Sequence, residues 1–207
     1  MTFEAISKLI KERKTTYAND FSDKKISKET IEAIVENALW APTHMHTQPW
    51  RFVVLEGSHQ QELGEFMASY YREMYTEKQF SKERYEATKS YSKNATLLAV
   101  IFQPNKKAKL PEWEEIAAIS CGVQNIWLSC TALYIGAYWD TSIATIAYGK
   151  RIELMENEQF LGIFFMGYPK VGVKTGIRKR KSLSKKLSFS HKAITKDVVP
   201  RCLGSNG

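Results

Sequence analysis

"ATLLAVIF", residues 95–102, contains no charged residue and one polar side chain, Thr96. A strand with one wet face alternates apolar and polar residues, whereas a strand covered on both faces reads as a continuous apolar run. The stretch therefore predicts a strand buried on both faces, with other elements packed above and below it. Two more β-rich runs can lie beside it: "WRFVVLEG" at 50–57, closed by Gly57, and "QFLGIFFMGYP" at 159–169. "GAYWDTS" at 136–142 adds a short extended piece or turn.

Helical periodicity fills the gaps between these runs. Phe3, Ile6, Leu9 and Ile10 share one face of a first helix that runs out at "KERKTT". Ser27 suits an N-cap with Glu29 in the first turn, and Ile31, Ile34, Val35, Ala38 and Leu39 form the stripe of a second helix that stops at Pro42. Leu63, Phe66, Met67, Tyr70 and Met74 mark a third, with a break near Phe80. From Pro111 to about Tyr134 the chain is apolar or small nearly all round, which predicts a buried helix through the domain centre or at a subunit interface. A further helix is expected near 143–156. Helices alternating with strands indicate an α/β or α+β layered domain rather than a bundle or a sandwich.

Composition narrows the function. With 43% hydrophobic and 12% aromatic residues, the 207-residue chain has the material for one ordered core. No apolar run approaches the ~20 residues of a membrane span, and the start lacks a signal-peptide layout, so a cytoplasmic location is expected. The net charge of +8 is local: residues 170–207 hold 11 of the 30 Lys and Arg and one of the 22 acids, leaving the first 169 residues at −2. Such a distribution argues against a DNA-binding face over the whole domain. It leaves the basic end as a solvated run or as a source of cations for an anionic ligand, nucleic acid and anionic surfaces included.

The chemistry-bearing residues form no triad or metal motif. Cys121, Cys130 and Cys202 show no C-x-x-C spacing, and His44 and His46 lack a third ligand at metal-site spacing, with only His59 and His191 left elsewhere. Neither G-x-G-x-x-G nor G-x-x-x-x-G-K-[ST] occurs, so a bound phosphate must be held by side chains. Three separate stretches carry suitable groups: "RKTT" at 13–16, "HMHTQ" at 44–48 and "YWDTS" at 138–142. Cations and hydroxyls suit a phosphate; ring and amide donors suit a heteroaromatic edge; an aromatic side chain suits its face. Taken alone, the middle stretch also reads as a helix end and a proline turn feeding a strand.

"ERKTT", "APTHMHTQPWRFVVLEG", "GVQNIWLSCTALYIGAYWDTS", "FLGIFFMGYPK" and "RKRKSL", in this order, resemble the FMN-dependent nitroreductase superfamily, nearest its short branch with an A-P-x-H-x-x-x-Q-P-W loop. The resemblance implies an α+β domain: a three-layer α/β/α sandwich around a mixed, mainly antiparallel sheet. It implies one FMN-binding domain over 1–183, with 184–207 as a basic tail or interface extension. Arg13, Lys14 and Thr15 then face the FMN phosphate and ribityl end. Thr43, His44, His46 and Gln48 reach the cofactor, generally from the opposite subunit, and Trp139, Asp140 and Thr141 lie against the isoalloxazine. Arg178 and Arg180 return to the phosphate. The chain departs from many members at Tyr17 and His46, where arginine and asparagine are common, and at Asp140, a position that can be basic.

The implied function is an NADH- or NADPH-dependent oxidoreductase, a homodimer with FMN at its interface, reducing nitroaromatic, quinone or similar acceptors by a ping-pong mechanism. The hydride chemistry belongs to the flavin, so no catalytic side chain is required. A specialised flavin reductase, dehalogenase or ene-reductase of the same superfamily is the neighbouring alternative.

Overall fold

The computed structural model describes residues 2–173 and 178–189, which fall in two units, one ending at Val173 and the other beginning at Lys174. The first unit contains the strands β1 (Trp50–Leu55), β2 (Thr96–Phe102), β3 (Gly136–Asp140) and β4 (Gln159–Gly167). Its helices are α1 (Phe3–Glu12), α2 (Lys28–Glu36), α3 (His59–Met74), α4 (Lys82–Lys89), α5 (Glu112–Ala132) and α6 (Ile143–Tyr148). In the second unit the described residues hold one 3₁₀ turn, Leu183–Lys185, and are exposed.

The strands form one sheet in the order β1-β2-β4-β3, antiparallel at every pairing. Among the described residues its mixed character is confined to one parallel bridge, Thr15 to Ala137, on the outer edge of β3. The strand at 96–102 is central, and its last six residues are all buried. Leu98, Val100, Phe102, Phe164 and Met166 pack on one face with Ile34 of α2 and Ile119, Val123, Ile126 and Cys130 of α5. Leu97, Ala99, Ile101, Ile163 and Phe165 pack on the other with Leu63 of α3 and Tyr148 of α6. Each of the Val, Leu, Ile, Phe and Met side chains among these contributes about 1.5–3 kcal/mol on burial, and the two packed faces make a three-layer α+β domain.

Two features depart from simple periodicity. The helix expected over 143–156 is shorter: after α6 a 3₁₀ turn, Gly149–Arg151, closes the element. There the chain is drawn out to meet Arg51, which bonds the Glu153 carbonyl at 3.2 Å and the Glu158 carboxylate at 2.7 and 2.5 Å. Glu158 also accepts from the Met155 amide, at 2.8 Å. The Arg51 guanidinium holds this carboxyl below the usual glutamate range. Because its folded pKa lies below the unfolded value of about 4.3, the stabilisation is complete at neutral pH and drains away as the pH falls below that value and through the folded pKa. Glu158→Gln is expected to lose about 2 kcal/mol at pH 7 and to flatten the acid limb of a thermal-stability profile. An unchanged profile sinks that assignment.

The second departure is a bulge in β4. Partners step from Ala99 with Ile163 to Ile101 with Phe160, so β4 carries one extra residue there. Gly162 has φ +114°, and a Cβ on it would lie 2.3 Å from the Asp140 carbonyl oxygen and 3.2 Å from Trp139 Nε1. Its bare backbone lets the end of β3 close down on β4. Gly162→Ala should therefore cost about 2–3 kcal/mol, a melting-temperature drop on the order of 5–10 °C, and displace Trp139 and Asp140. Calorimetry showing less than a 1 °C change would remove the bulge from this role.

Candidate functional site

α1 ends at Arg13, whose amide bonds back to the Leu9 carbonyl, and the chain then turns extended. Its guanidinium lies 4.4 Å from the centre of the Trp127 ring of α5. Trp127 Nε1 donates to the Lys14 carbonyl at 3.2 Å, which pins the backbone just after the two cations. Thr16 then donates from its amide to the Ala137 carbonyl at 3.2 Å, so 15–16 run along the open edge of β3. Gly136 makes this approach feasible, since a Cβ there would sit 2.8 Å from Thr16 Cβ. Arg13, Lys14 and Thr15 are thus fastened beside the strand that ends in Trp139 and Asp140.

At that strand end, Asp140 accepts from the Ser142 amide at 2.8 Å, and exposed Thr141 sits between the two. The Trp139 ring is half-buried, and its Nε1 is fully buried without a hydrogen-bond partner among the described residues. Behind them, Tyr138 donates to the Tyr91 hydroxyl at 2.9 Å and stacks on Phe165 at 4.7 Å. Burial pushes both phenols above their ordinary range. They are neutral walls rather than acids at physiological pH.

The loop with Thr43, His44, His46 and Gln48 lies elsewhere. His44–His46 form a 3₁₀ turn after Thr43, and His44, His46 and Gln48 are exposed. Met45, His46 and Gln48 take φ of 51°, 53° and 46°, left-handed values that side chains other than glycine adopt at a cost. Three such residues within four positions is strain of the kind that accumulates where a loop must present groups outward. His44 Nδ1 lies 2.6 Å from Glu114 Oε1, in the first turn of α5. On an α-helix, residues 114 and 127 are about 20 Å apart at 1.5 Å per residue. One chain therefore holds the His44 loop and the Arg13–Lys14–Thr15 segment at opposite ends of α5.

Sequence reasoning missed Glu114 and Trp127, the residues through which α5 positions both groups. Their partners are 70 and 114 residues away, beyond any local pattern. Cys130 is buried in the core, and burial pushes its thiol up to about 12, so it packs rather than reacts. Arg178 and Arg180 are exposed in the second unit, while His191 and Cys202 lie outside the described residues.

A model of the family described as "Nitroreductase family" matches residues 10–168. YfhC of Bacillus subtilis strain 168, assigned by its name to the NAD(P)H nitroreductases, is 26% identical over 170 residues, covering 77% of this chain and 85% of its own. The crystal structure of a nitroreductase-like family protein from Bacillus cereus superimposes with a TM-score of 0.71 at 22% identity, over 93% of this chain and 99% of that one. The FMN-dependent nitroreductase NfnB from Mycobacterium smegmatis, solved in complex with NADPH, gives 0.67 at 23% identity over 90% and 98%. The chain belongs to the nitroreductase family and is an oxidoreductase of that type. No helix among its described residues is long and apolar enough to cross a membrane.

Proposed function

We propose that the chain is an FMN-dependent oxidoreductase that takes two electrons from NADH or NADPH and delivers them to nitroaromatic, quinone or similarly electron-poor acceptors. For a quinone the balance is NAD(P)H plus a proton and quinone giving NAD(P)⁺ and quinol. When bound, FMN supplies the two-electron relay between donor and acceptor, in ping-pong order.

The chain's own residues fit that cofactor. Arg13 offers planar forked donors and Lys14 a point charge, matched to a phosphate dianion, and Thr15 adds a hydroxyl. Trp139, Asp140 and Thr141, on the same strand edge, suit a flat ring with polar margins. The share of Arg178 and Arg180 in holding the phosphate, and a functional domain running to 183, rest on the resemblance alone.

The observation that carries the reading is the separation along α5. If Thr43, His44, His46 and Gln48 serve the same cofactor as Arg13, they must come from a second copy. A two-fold axis that packs α5 antiparallel on its mate brings the Glu114 end of one beside the Trp127 end of the other. The helical layer that includes α5 is prepared for such a partner: Phe3, Ile6, Ile10, Trp40, Trp113 and Leu133 are all exposed. The expected molecule is a homodimer with FMN shared across its interface.

An absorbance spectrum of the untagged protein tests this before and after anaerobic NADH or NADPH. A flavin band that bleaches and returns with a nitro or quinone acceptor is the expected result. A colourless protein that refuses added FMN sinks the reading and returns the basic end to an anionic partner.

A further inference from the structure

A cleft of about 600 Å³ opens from the end of β3 between α3 and α4, a size suited to a small organic ligand. Its walls are aromatic, with Tyr70, Tyr71, Tyr75 and Tyr91, and Asp140 stands at the β3 end. Arg84 of α4 is its cation. Its guanidinium carbon lies over Tyr71 at 4.7 Å and Tyr75 at 5.5 Å, two rings inclined at 58° to each other, and no carboxylate among the described residues pairs with it. The hydrogen bonds of Arg84 among the described residues are made by its backbone, so its guanidinium N–H donors are available to a ligand. At the other end, one Asp140 oxygen is already engaged by the Ser142 amide.

We propose that this cleft seats the electron acceptor and selects flat aromatic acceptors that carry an anionic group, held by Arg84 at the end away from Asp140. Tyrosine walls take the ring at little entropic cost. The orientation follows from charge: a carboxylate is repelled by Asp140 and attracted to Arg84, which turns the opposite, reducible end of the ring toward β3. The proposal rests on the oxidoreductase reading above for what happens to the ligand, but not for its binding.

The test compares 4-nitrobenzoate with 4-nitrobenzamide, alike in ring and size and different in charge, on the full-length flavin-loaded protein and on Arg84→Gln. Binding to the oxidised protein is read by calorimetry, and turnover by kcat/KM with NAD(P)H. The native protein should favour the benzoate about tenfold or more in Kd, the scale of one charge-assisted hydrogen bond, and Arg84→Gln should bring that ratio near one. Equal affinities in the native protein, failure to bind either compound, an unchanged ratio in the variant, or loss of flavin from it would each overturn the proposal. Failure of the oxidoreductase reading looks different: the binding preference stands while neither compound is reduced.

Discussion

Arg13→Ala is expected to give a folded protein that has lost its yellow colour. The guanidinium is the forked donor at the proposed phosphate position, and removing one charge-assisted contact costs about 1.5–3 kcal/mol, or roughly 10- to 150-fold in FMN affinity. Flavin should be lost during purification and recovered only at high added FMN. The fold should survive, because Arg13 is half-buried and its packing over Trp127 contributes about 0.5–1 kcal/mol. Arg13→Lys keeps the charge but not the fork, so it should fall between. Flavin content by absorbance, with circular dichroism as the fold control, decides the matter: full occupancy in the alanine variant reduces Arg13 to a stacking partner of Trp127.

Ile6→Glu combined with Ile10→Glu should split the native molecule into monomers of 23.8 kDa and release the flavin with it. α1 has no buried residue within one chain although its apolar residues share a face, and Ile6 and Ile10 are 43% and 48% exposed. Carboxylates there cost the single chain little. In an apolar interface each unpaired charge costs several kcal/mol, enough to raise a dimer constant by more than roughly a thousandfold. Sedimentation on the native protein and the variant reads both mass and bound flavin. A native monomer that still holds its flavin would show that one end of α5 suffices, and the shared site would be abandoned.

The layers of this molecule were legible in its sequence because burial on two faces leaves a local trace. "ATLLAVIF" read as a strand buried on both faces, and of the stripe over 31–39 Ile34 and Ala38 are buried while Leu39, past the end of α2, is exposed. The loop at 43–48 was legible as a site by resemblance, yet its left-handed Met45, His46 and Gln48 carry no glycine signal. Periodicity also failed at 152–156, where the contacts of Arg51 and Glu158 override a helical pattern.

By itself, then, the sequence determined the elements, their buried faces and the residue types able to hold a phosphate and a flat ring, since each is written within a few turns of chain. Only the tertiary structure decided which of them meet. The pairing of His44 with Glu114 and of Arg13 with Trp127, and the cleft that Arg84 and Asp140 line from opposite ends, depend on strand register and helix length, and those are set by packing between segments too far apart for any local pattern to record.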